Sequence, residues 1–422
     1  MTQELSKSLT VWRGTSILLN IVIGAGLLTL PGLAIEQVGG FALVAWLACA
    51  VLALPLLVVF IVLGRQFPEA GGVAAYGRRA FGSFGERTAS YLFLGAVALG
   101  LPGIALTGGH YLSTVLGGSP HLYAIVLILG AVTPNLVKGG GAAKIMSWLA
   151  SLILAVVVAF LAVGLIGVIG KPIRTPPRLP GLADAISVAP TLMMIFFAFT
   201  GWEVGAGIAE EFRDPRRDYP LAMLASFGIA VTLYFAIAFV AQASDITGSF
   251  ASPFIPIVAP ILGTAGTAAI AITASIIVFA NLAGAVWGVS RLLYSLSRSG
   301  MFPPVFGKLV GDKPLVSVLT VVAVLSVVVL LDGSRIIGLT GLFGLAGENF
   351  LTLYAIAAIV ILKIGKGRLI GAISVFVLVE CLLLLAAQGI SALYPALIIG
   401  LSVTVEYLQQ GIQRRRAFGQ SR

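Results

Sequence analysis

The chain has few charged residues, and this scarcity excludes an ordinary water-soluble domain. Only 10% of its 422 residues are Asp, Glu, Lys or Arg, whereas 59% are hydrophobic. A soluble globular domain carries roughly 25% charged residues. The apolar residues instead form long runs, such as residues 150–170. Because runs of about 20 apolar residues cross a bilayer as helices, we predict an all-α polytopic membrane protein.

Cysteine and histidine are also scarce, which argues against a metal centre. Cys49 and Cys381 each stand alone inside an apolar run, and the chain has two histidines. A zinc site needs three or four His, Cys or carboxylate ligands at suitable spacing. We therefore expect no metal site. A membrane-embedded enzyme needs paired acid and base groups at one depth, so it is the less favoured alternative of another class.

Long loops are missing as well, so the function must lie in the membrane or on short loops. The alternation of apolar runs with short polar segments predicts about twelve transmembrane helices. They lie near residues 12–36, 40–64, 87–116, 121–137, 143–170, 184–210, 219–244, 264–298, 315–331, 335–362, 368–388 and 391–409. The longest loop that remains runs from Arg65 to Arg87 and is too short for a separate domain.

The basic residues gather on one side of the predicted membrane. All of the 26 lysines and arginines except Lys171, Arg174, Arg178 and Arg335 fall on the side of the N-terminus. Such an excess is typical of cytoplasmic loops. It predicts cytoplasmic N- and C-termini in a bacterial inner membrane. The same rule explains the net charge of +10, so we expect no nucleic acid partner.

Two spans contain glycine clusters that predict interrupted helices. Span one carries Gly24-Ala25-Gly26, and span six carries Thr200-Gly201-Trp202 followed by Glu203. Glycine destabilises a helix by about 1 kcal/mol relative to alanine. Close helix packing is the alternative reason for small residues. Broken helices at matching positions indicate two inverted repeats, which we assign to residues 1–170 and 184–362. Residues 368–409 then form two extra helices, before a basic cytoplasmic tail at 410–422.

An interrupted helix exposes polar backbone groups that suit an amino acid. Free N–H groups near Gly24, Ala25 and Gly26 would hold a carboxylate, because a helix N-terminus carries partial positive charge. Free carbonyl groups near Val22, Phe197 and Thr200 would hold an ammonium group. The two sets together match the zwitterion that all amino acids share.

Four motifs occur in order along the chain. They are Ile23-Gly24-Ala25-Gly26 with Pro31, Phe67-Pro68-Glu69-Ala70-Gly71-Gly72 with Tyr76, Gly201-Trp202-Glu203 with Asp214-Pro215-Arg216-Arg217, and Ser290-Arg291-Leu292-Leu293-Tyr294-Ser295. Together they resemble the signatures of the amino acid–polyamine–organocation (APC) superfamily of transporters. Gly64-Arg65, Ala70-Gly71-Gly72 and Gly100-Leu101-Pro102 resemble its neutral amino acid efflux branch, which exports methionine and branched-chain residues.

The resemblance implies a fold, a transport mechanism and a site. The fold is the five-plus-five inverted repeat named after the bacterial leucine transporter, with alternating access and no prosthetic cofactor. Phe197 would be the aromatic lid over the substrate. The family often has serine where this chain has Ala25. The implied substrate-binding residues are Val22, Gly24, Ala25, Gly26, Phe197, Thr200, Gly201 and Trp202.

Intramembrane acids mark functional sites by default, because a charge in the bilayer is costly. Glu203 follows the second break directly, so we predict that it gates the site or carries a coupling proton. A cap for the broken helix ends is the structural alternative. Glu348, in span ten, is a second candidate for the same role. For Glu380, in span eleven, we favour a structural or oligomer contact.

These observations favour a secondary transporter that exports methionine, leucine, isoleucine and valine, with H⁺ as the candidate coupling ion. A cationic amino acid or polyamine importer or exchanger is the alternative within the class. That alternative calls for extra acids in the pocket, and Glu203 is the only acid beside a break. The expected partners are the amino acid substrate and the lipid bilayer, and a homodimer is left open.

Overall fold

The computed structural model describes residues 9–68, 72–136, 141–311 and 313–420, and these residues are helical or irregular. Their β-structure is limited to two isolated bridges, Leu9 with Phe212 and Val310 with Lys313. The helices are α1 (Val11–Val22), α2 (Leu30–Val38), α3 (Ala42–Gln66), α4 (Gly72–Leu116), α5 (Pro120–Gly130), α6 (Gly141–Val168), α7 (Leu182–Phe196), α8 (Trp202–Ala206), α9 (Asp218–Ala243), α10 (Phe254–Arg298), α11 (Leu315–Gly333), α12 (Leu339–Ile364), α13 (Arg368–Ala386) and α14 (Leu393–Gln420).

Many of these helices are long and apolar enough to cross a membrane. Within the described ranges, nine helical stretches meet both conditions, and Pro120–Gly130 and Ala155–Val168 are shorter apolar helices. An apolar helix satisfies all of its backbone hydrogen bonds internally, which makes it stable in lipid. The predicted all-α membrane architecture is thus confirmed, whereas the count of twelve spans stays a prediction.

Both predicted helix interruptions are present. The first lies between Val22, where α1 ends, and Leu30, where α2 begins, with a 3-10 turn at Ala25–Leu28 between them. The second lies between Phe196 and Trp202, the end of α7 and the start of α8. There Gly201 has φ of +112°, a left-handed conformation that side chains beyond glycine rarely adopt.

The helices α4 and α10 have the same unusual construction. Each has 45 residues and contains a glycine with non-helical backbone and positive φ in its first part, Gly82 at +66° and Gly263 at +62°. Each glycine turns the chain, so that a short helix leads into a long one. The loop predicted from Arg65 to Arg87 is therefore mostly helix from Gly72 onward. Residues 69–71 of the predicted loop motif lie outside the described part of the chain.

The long helices pack so that the two breaks lie at the centre of the bundle. α4 packs against α10 and α12, α1 packs against α9, and α7 packs against α3 and α12. Trp46 and Trp202 are among the largest fully buried side chains of this core. By contrast, α13 and α14 expose Leu382, Leu383 and Leu401, as expected of helices that face lipid. α14 continues to Gln420, through most of the predicted tail.

Candidate substrate site

A central cavity of about 550 Å³ lies between the two helix breaks. It is bounded by both breaks and by the middle parts of α4, α10 and α12. Its volume falls within the range of about 300–1,000 Å³ that is typical of small-molecule sites. The lining residues are Ile21, Val22, Gly24, Gly26, Leu27, Phe93, Val97, Gly100, Leu101, Ile104, Phe197, Ala198, Thr200, Gly201, Glu203, Val204, Tyr234, Ala280, Asn281, Gly284, Ala285, Gly288, Val289 and Phe350.

This cavity is lined by six of the eight residues that the sequence predicted to bind the substrate. Trp202 and Ala25 are the other two. The lining includes Val22, Gly24, Gly26, Phe197, Thr200 and Gly201. Trp202 does not line it, because its ring packs against Phe227 of α9 with the ring centroids 5.7 Å apart. The side chain of Ala25 lies outside what the structure describes, although its backbone begins the 3-10 turn.

At the first break, part of the expected free backbone is already hydrogen-bonded. The carbonyl oxygen of Val22 accepts from the N–H of Gly24 at 2.8 Å and from the hydroxyl of Tyr234 at 2.9 Å. The expectation that Gly24 and Val22 both offer free groups is therefore wrong for this conformation. The N–H of Gly26 has no acceptor among the described residues. The first break thus leaves a free donor at the start of the 3-10 turn.

The second break leaves a free acceptor. The carbonyl oxygen of Phe197 accepts from both the N–H of Thr200, at 3.3 Å, and its hydroxyl, at 2.8 Å. This carbonyl is consequently occupied, contrary to expectation. The carbonyl oxygen of Thr200 has no donor in the described part of the chain. It lies next to Gly201, whose left-handed backbone redirects the chain into α8.

The side chain of Glu203 caps the N-terminus of α8, the helix that follows the second break. Its Oε2 accepts the N–H of Gly201 at 2.9 Å and the hydroxyl of Tyr354, in α12, at 2.5 Å. The side chain is buried, with 4% of its surface exposed, yet Glu203 lines the cavity. A carboxylate at a helix N-terminus satisfies an orphan N–H group and the positive end of the helix dipole. One acid thus connects the first turn of α8 to α12.

The other two buried acids lie away from the cavity. Oε1 of Glu348 accepts the hydroxyl of Ser391 at 2.6 Å, in the turn between α13 and α14, and Oε2 has no described partner. Glu380 lies buried in α13, and neither of its carboxyl oxygens has a hydrogen-bond partner among the described residues. Neither residue lines the central cavity. Among the acids that the structure describes, it therefore brings Glu203 to the site and separates Glu348 from it.

Phe197 forms one wall of the cavity. Its ring lies 5.0 Å from that of Phe343 and 6.3 Å from that of Phe350, both in α12. A Cβ atom added at Gly100 would lie 2.5 Å from the Phe197 ring, so the ring occupies space that only glycine leaves free. The aromatic side chain predicted as a lid therefore lies between α4 and α12.

The helix α10 contributes residues to the site that the sequence motifs did not indicate. Asn281, Gly284 and Gly288 line the cavity, and a Cβ atom added at either glycine would meet no other atom within 4 Å. The Nδ2 atom of Asn281 would lie 3.5 Å from a Cβ atom at Gly24, so its amide faces the first break. Asn281 is a polar residue inside an apolar run, and this was a signal in the sequence.

On one side of the central cavity, hydrogen bonds link the first break to its neighbours. The hydroxyl of Tyr111 donates to the carbonyl of Leu28 at 2.8 Å, and the hydroxyl of Thr29 donates to the carbonyl of Ala251 at 2.7 Å. Beyond these bonds lies a separate vestibule of about 530 Å³, lined by Glu36 and His110 among others. The bonds join the first break to α4 and to the segment before α10.

On the other side, the central cavity adjoins a second space. This side cavity of about 270 Å³ shares Phe93, Glu203 and Val204 with the central cavity. It extends to Gly72 at the start of α4 and to Leu292 near the end of α10. The site thus adjoins a second space on this side, whereas the hydrogen bonds of Tyr111 and Thr29 lie on the other.

Comparison with known proteins found sequence similarity over most of the chain. The sequence model of the amino acid permease family matches residues 9–401. The uncharacterized amino acid permease YecA of Bacillus subtilis is 30% identical over 408 residues, which cover 94% of this chain and 95% of YecA. The L-methionine/branched-chain amino acid exporter YjeH of Escherichia coli is 28% identical, with coverage of 94% and 95%. The putrescine transporter PotE of E. coli is 24% identical, with coverage of 77% and 76%.

Proposed function

Because the chain belongs to the amino acid permease family of integral membrane transporters, we propose that it carries neutral, apolar amino acids. Methionine, leucine, isoleucine and valine are the proposed substrates. The relative YjeH, which is similar over nearly its whole length, is named as an exporter of L-methionine and branched-chain amino acids. We extend this substrate class to the present chain because of the lining of its central cavity.

The observation that carries the proposal is the scarcity of ionisable groups in that lining. Glu203 is the one ionisable carboxyl or amine group among the described lining residues, and its Oε2 is already bonded to Gly201 and Tyr354. A charged substrate side chain buried without a partner costs several kcal/mol. Arginine, lysine and putrescine are therefore poor substrates for this cavity, whereas aliphatic side chains meet Val97, Leu101 and other apolar residues.

The free backbone groups suit the other end of the substrate. We assign the substrate carboxylate to the N–H of Gly26, at the positive end of the 3-10 turn, and the substrate ammonium to the carbonyl of Thr200. Asn281 faces the first break and offers an amide to either group. Gly284 and Gly288 leave room beside it. This arrangement selects for a zwitterion and leaves the side-chain subsite apolar.

We further propose alternating access within a five-plus-five inverted repeat. The equal lengths of α4 and α10, each with a positive-φ glycine near its start, support a repeat offset of five spans. With both termini in the cytoplasm, the side cavity opens inward and the bonds of Tyr111 and Thr29 close the outer side. The described conformation is then inward-facing, which is the state in which an exporter of the bacterial inner membrane loads its substrate.

Glu203 is the proposed proton carrier. Its carboxylate accepts two hydrogen bonds, and a proton on the carboxyl group would convert one of its oxygen atoms into a donor. That change weakens the connection between the first turn of α8 and Tyr354 of α12. The proton would therefore alter the contact between two elements that border the site. No prosthetic cofactor takes part in this scheme.

Counterflow in proteoliposomes tests the proposal. Vesicles that contain the purified chain are loaded with unlabelled leucine, and the entry of labelled leucine is measured against a panel of competitors. Methionine, isoleucine and valine should compete, whereas arginine, lysine, glutamate and putrescine should not. Strong competition by arginine or putrescine would assign the chain to cationic substrates instead. An imposed pH gradient in the same vesicles should drive net transport.

A further inference from the structure

Another cavity, with a different chemistry, lies near one end of the bundle and shares no lining residue with the central cavity. This basic pocket has a volume of about 480 Å³. It is formed by the end of α3, the segment before α9 and the start of α13. Its lining residues are Val62, Arg65, Gln66, Phe67, Arg216, Lys366 and Ile370. The transport mechanism proposed above uses none of them.

The three cations of the basic pocket have no acidic partner among the described residues. Arg65, Arg216 and Lys366 form no ion pair there, and no described lining residue is acidic. Other basic side chains do find acids, as Arg87 does with Glu406. Three positive charges around one space repel one another. A bound anion would convert this repulsion into attraction.

Hydrogen bonds hold the frame of the pocket in place. The side-chain amide of Gln66 donates to the carbonyl of Lys366 at 3.1 Å and accepts the N–H of Lys366 at 3.1 Å. The N–H of Arg216 donates to a carboxylate oxygen of Asp214 at 3.0 Å. Ile370 lies in the first turn of the 19-residue helix α13, so the positive end of a helix dipole adds to the three cations.

The apolar surroundings point to an anion that carries acyl chains. Val62, Phe67 and Ile370 form the apolar part of the pocket wall. Leu369, next to Ile370, has 74% of its surface exposed, and Phe376 extends the exposed apolar surface along α13. A free phosphate ion would gain nothing from this surface. A lipid would place its headgroup among the cations and its chains along α13.

We propose that the basic pocket binds the phosphate headgroup of an anionic membrane lipid. The orientation predicted from the basic residues places this pocket on the cytoplasmic side, where anionic lipids attract Lys and Arg at the membrane surface. The bound lipid joins α13, which lies outside the proposed repeats, to α3 and to the segment that follows the second break. Its binding stabilises the protein without contact with the central cavity.

The test compares lipids on the full-length protein in detergent. Native mass spectrometry and thermal unfolding are measured with phosphatidylglycerol, with zwitterionic phosphatidylcholine and with inorganic phosphate. Phosphatidylglycerol should remain bound and raise the unfolding temperature. In the triple variant Arg65→Gln, Arg216→Gln, Lys366→Gln, its affinity should fall about 100-fold, since each basic residue contributes about a factor of five at a membrane surface.

The matched control removes the same charge elsewhere. Arg213→Gln, Arg217→Gln, Lys308→Gln changes three exposed basic residues that do not line the pocket, and it should retain the affinity of the unchanged protein. An equal loss in both triple variants would overturn the proposal in favour of nonspecific surface charge. Equal stabilisation by inorganic phosphate, lost in the pocket variant, would overturn it in favour of a free-anion site.

Single substitutions keep the test decisive if the pocket triple variant does not fold. Lys366→Gln and Arg216→Gln are then measured one at a time against Lys308→Gln. Each pocket substitution should lower the affinity for phosphatidylglycerol about fivefold, whereas Lys308→Gln should leave it unchanged. An equal loss in all three single variants would overturn the proposal.

Discussion

The two helix breaks border the same cavity but satisfy their polar backbone in different ways. At the first break, a neutral phenol from another helix, that of Tyr234, donates to the carbonyl of Val22. At the second, the chain supplies its own acid, and Glu203 accepts from both Gly201 and Tyr354. The first break is thus held without charge. The second is held by a group whose charge a proton can remove.

This difference assigns separate tasks to the two breaks. An uncharged break with a free N–H at Gly26 has a positive end that remains available to a substrate carboxylate. A break capped by Glu203 already has a negative charge at its helix N-terminus, so it would repel a carboxylate and attract the ammonium group. We infer that the first break binds the substrate carboxylate and that the second holds the ammonium group and couples binding to a proton.

The largest effect is expected from filling the first break. A side chain at Gly26 would start 3.3 Å from Leu30 and 3.6 Å from Phe197, so Gly26→Leu would occupy the carboxylate position. Leucine affinity should fall by about 100-fold or more, equivalent to roughly 3 kcal/mol, and counterflow should cease. Gly228→Leu is the control, since Gly228 is exposed in α9 and a Cβ atom there meets nothing within 4 Å. Unchanged affinity in Gly26→Leu, with normal size-exclusion behaviour, would contradict the assignment.

Removing the charge of Glu203, at the second break, should affect transport driven by a pH gradient but not the exchange of one amino acid for another. Glu203→Gln keeps the shape and one acceptor, so the protein should fold and exchange one amino acid for another. Transport driven by a pH gradient should stop, because the coupling proton has no carrier. Both modes are measured in one proteoliposome preparation. Loss of both modes together would mean that Glu203 is a structural cap only, and a normal pH response would exclude it as the carrier.

A smaller effect is expected from removing the phenol hydroxyl of Tyr234 at the first break. Tyr234→Phe removes one hydrogen bond to Val22, whose carbonyl retains the bond from Gly24. The loss of one such bond destabilises a protein by about 1 kcal/mol. Thermal unfolding should register this change, while the response to a pH gradient should be the same as in the unchanged protein. If Tyr234→Phe lost its response to a pH gradient, the proposed division of tasks between the two breaks would be wrong.

The smallest effect on transport is expected at Glu348. This acid binds Ser391 and does not line the cavity. Glu348→Gln should leave driven transport and exchange within about twofold of the unchanged protein, a difference well below 1 kcal/mol. The variant is assayed beside Glu203→Gln. Loss of driven transport in Glu348→Gln alone would transfer the coupling role to Glu348, the second candidate that the sequence offers.

Particular residues show how far the sequence could predict this structure. Glycine clusters located both breaks, because glycine is unfavourable in a helix and Gly201 adopts a backbone that only glycine tolerates well. Pattern alone did not reveal the helix from Gly72 to Gly82, which is short, contains Arg78 and Arg79 and is followed by a turn. Spacing along α8 did not predict that Trp202 points to Phe227, because side-chain direction depends on the rotation of a helix after its break.

The proposed binding mode is tested most directly by a cryo-electron microscopy map of the full chain in a lipid nanodisc with L-methionine. The account predicts density in the central cavity, with the carboxylate at the N–H of Gly26, the ammonium at the carbonyl of Thr200 and the thioether against Val97 and Leu101. Methionine bound instead in the vestibule beside Glu36, or bound in the cavity with its carboxylate at Thr200, would contradict it.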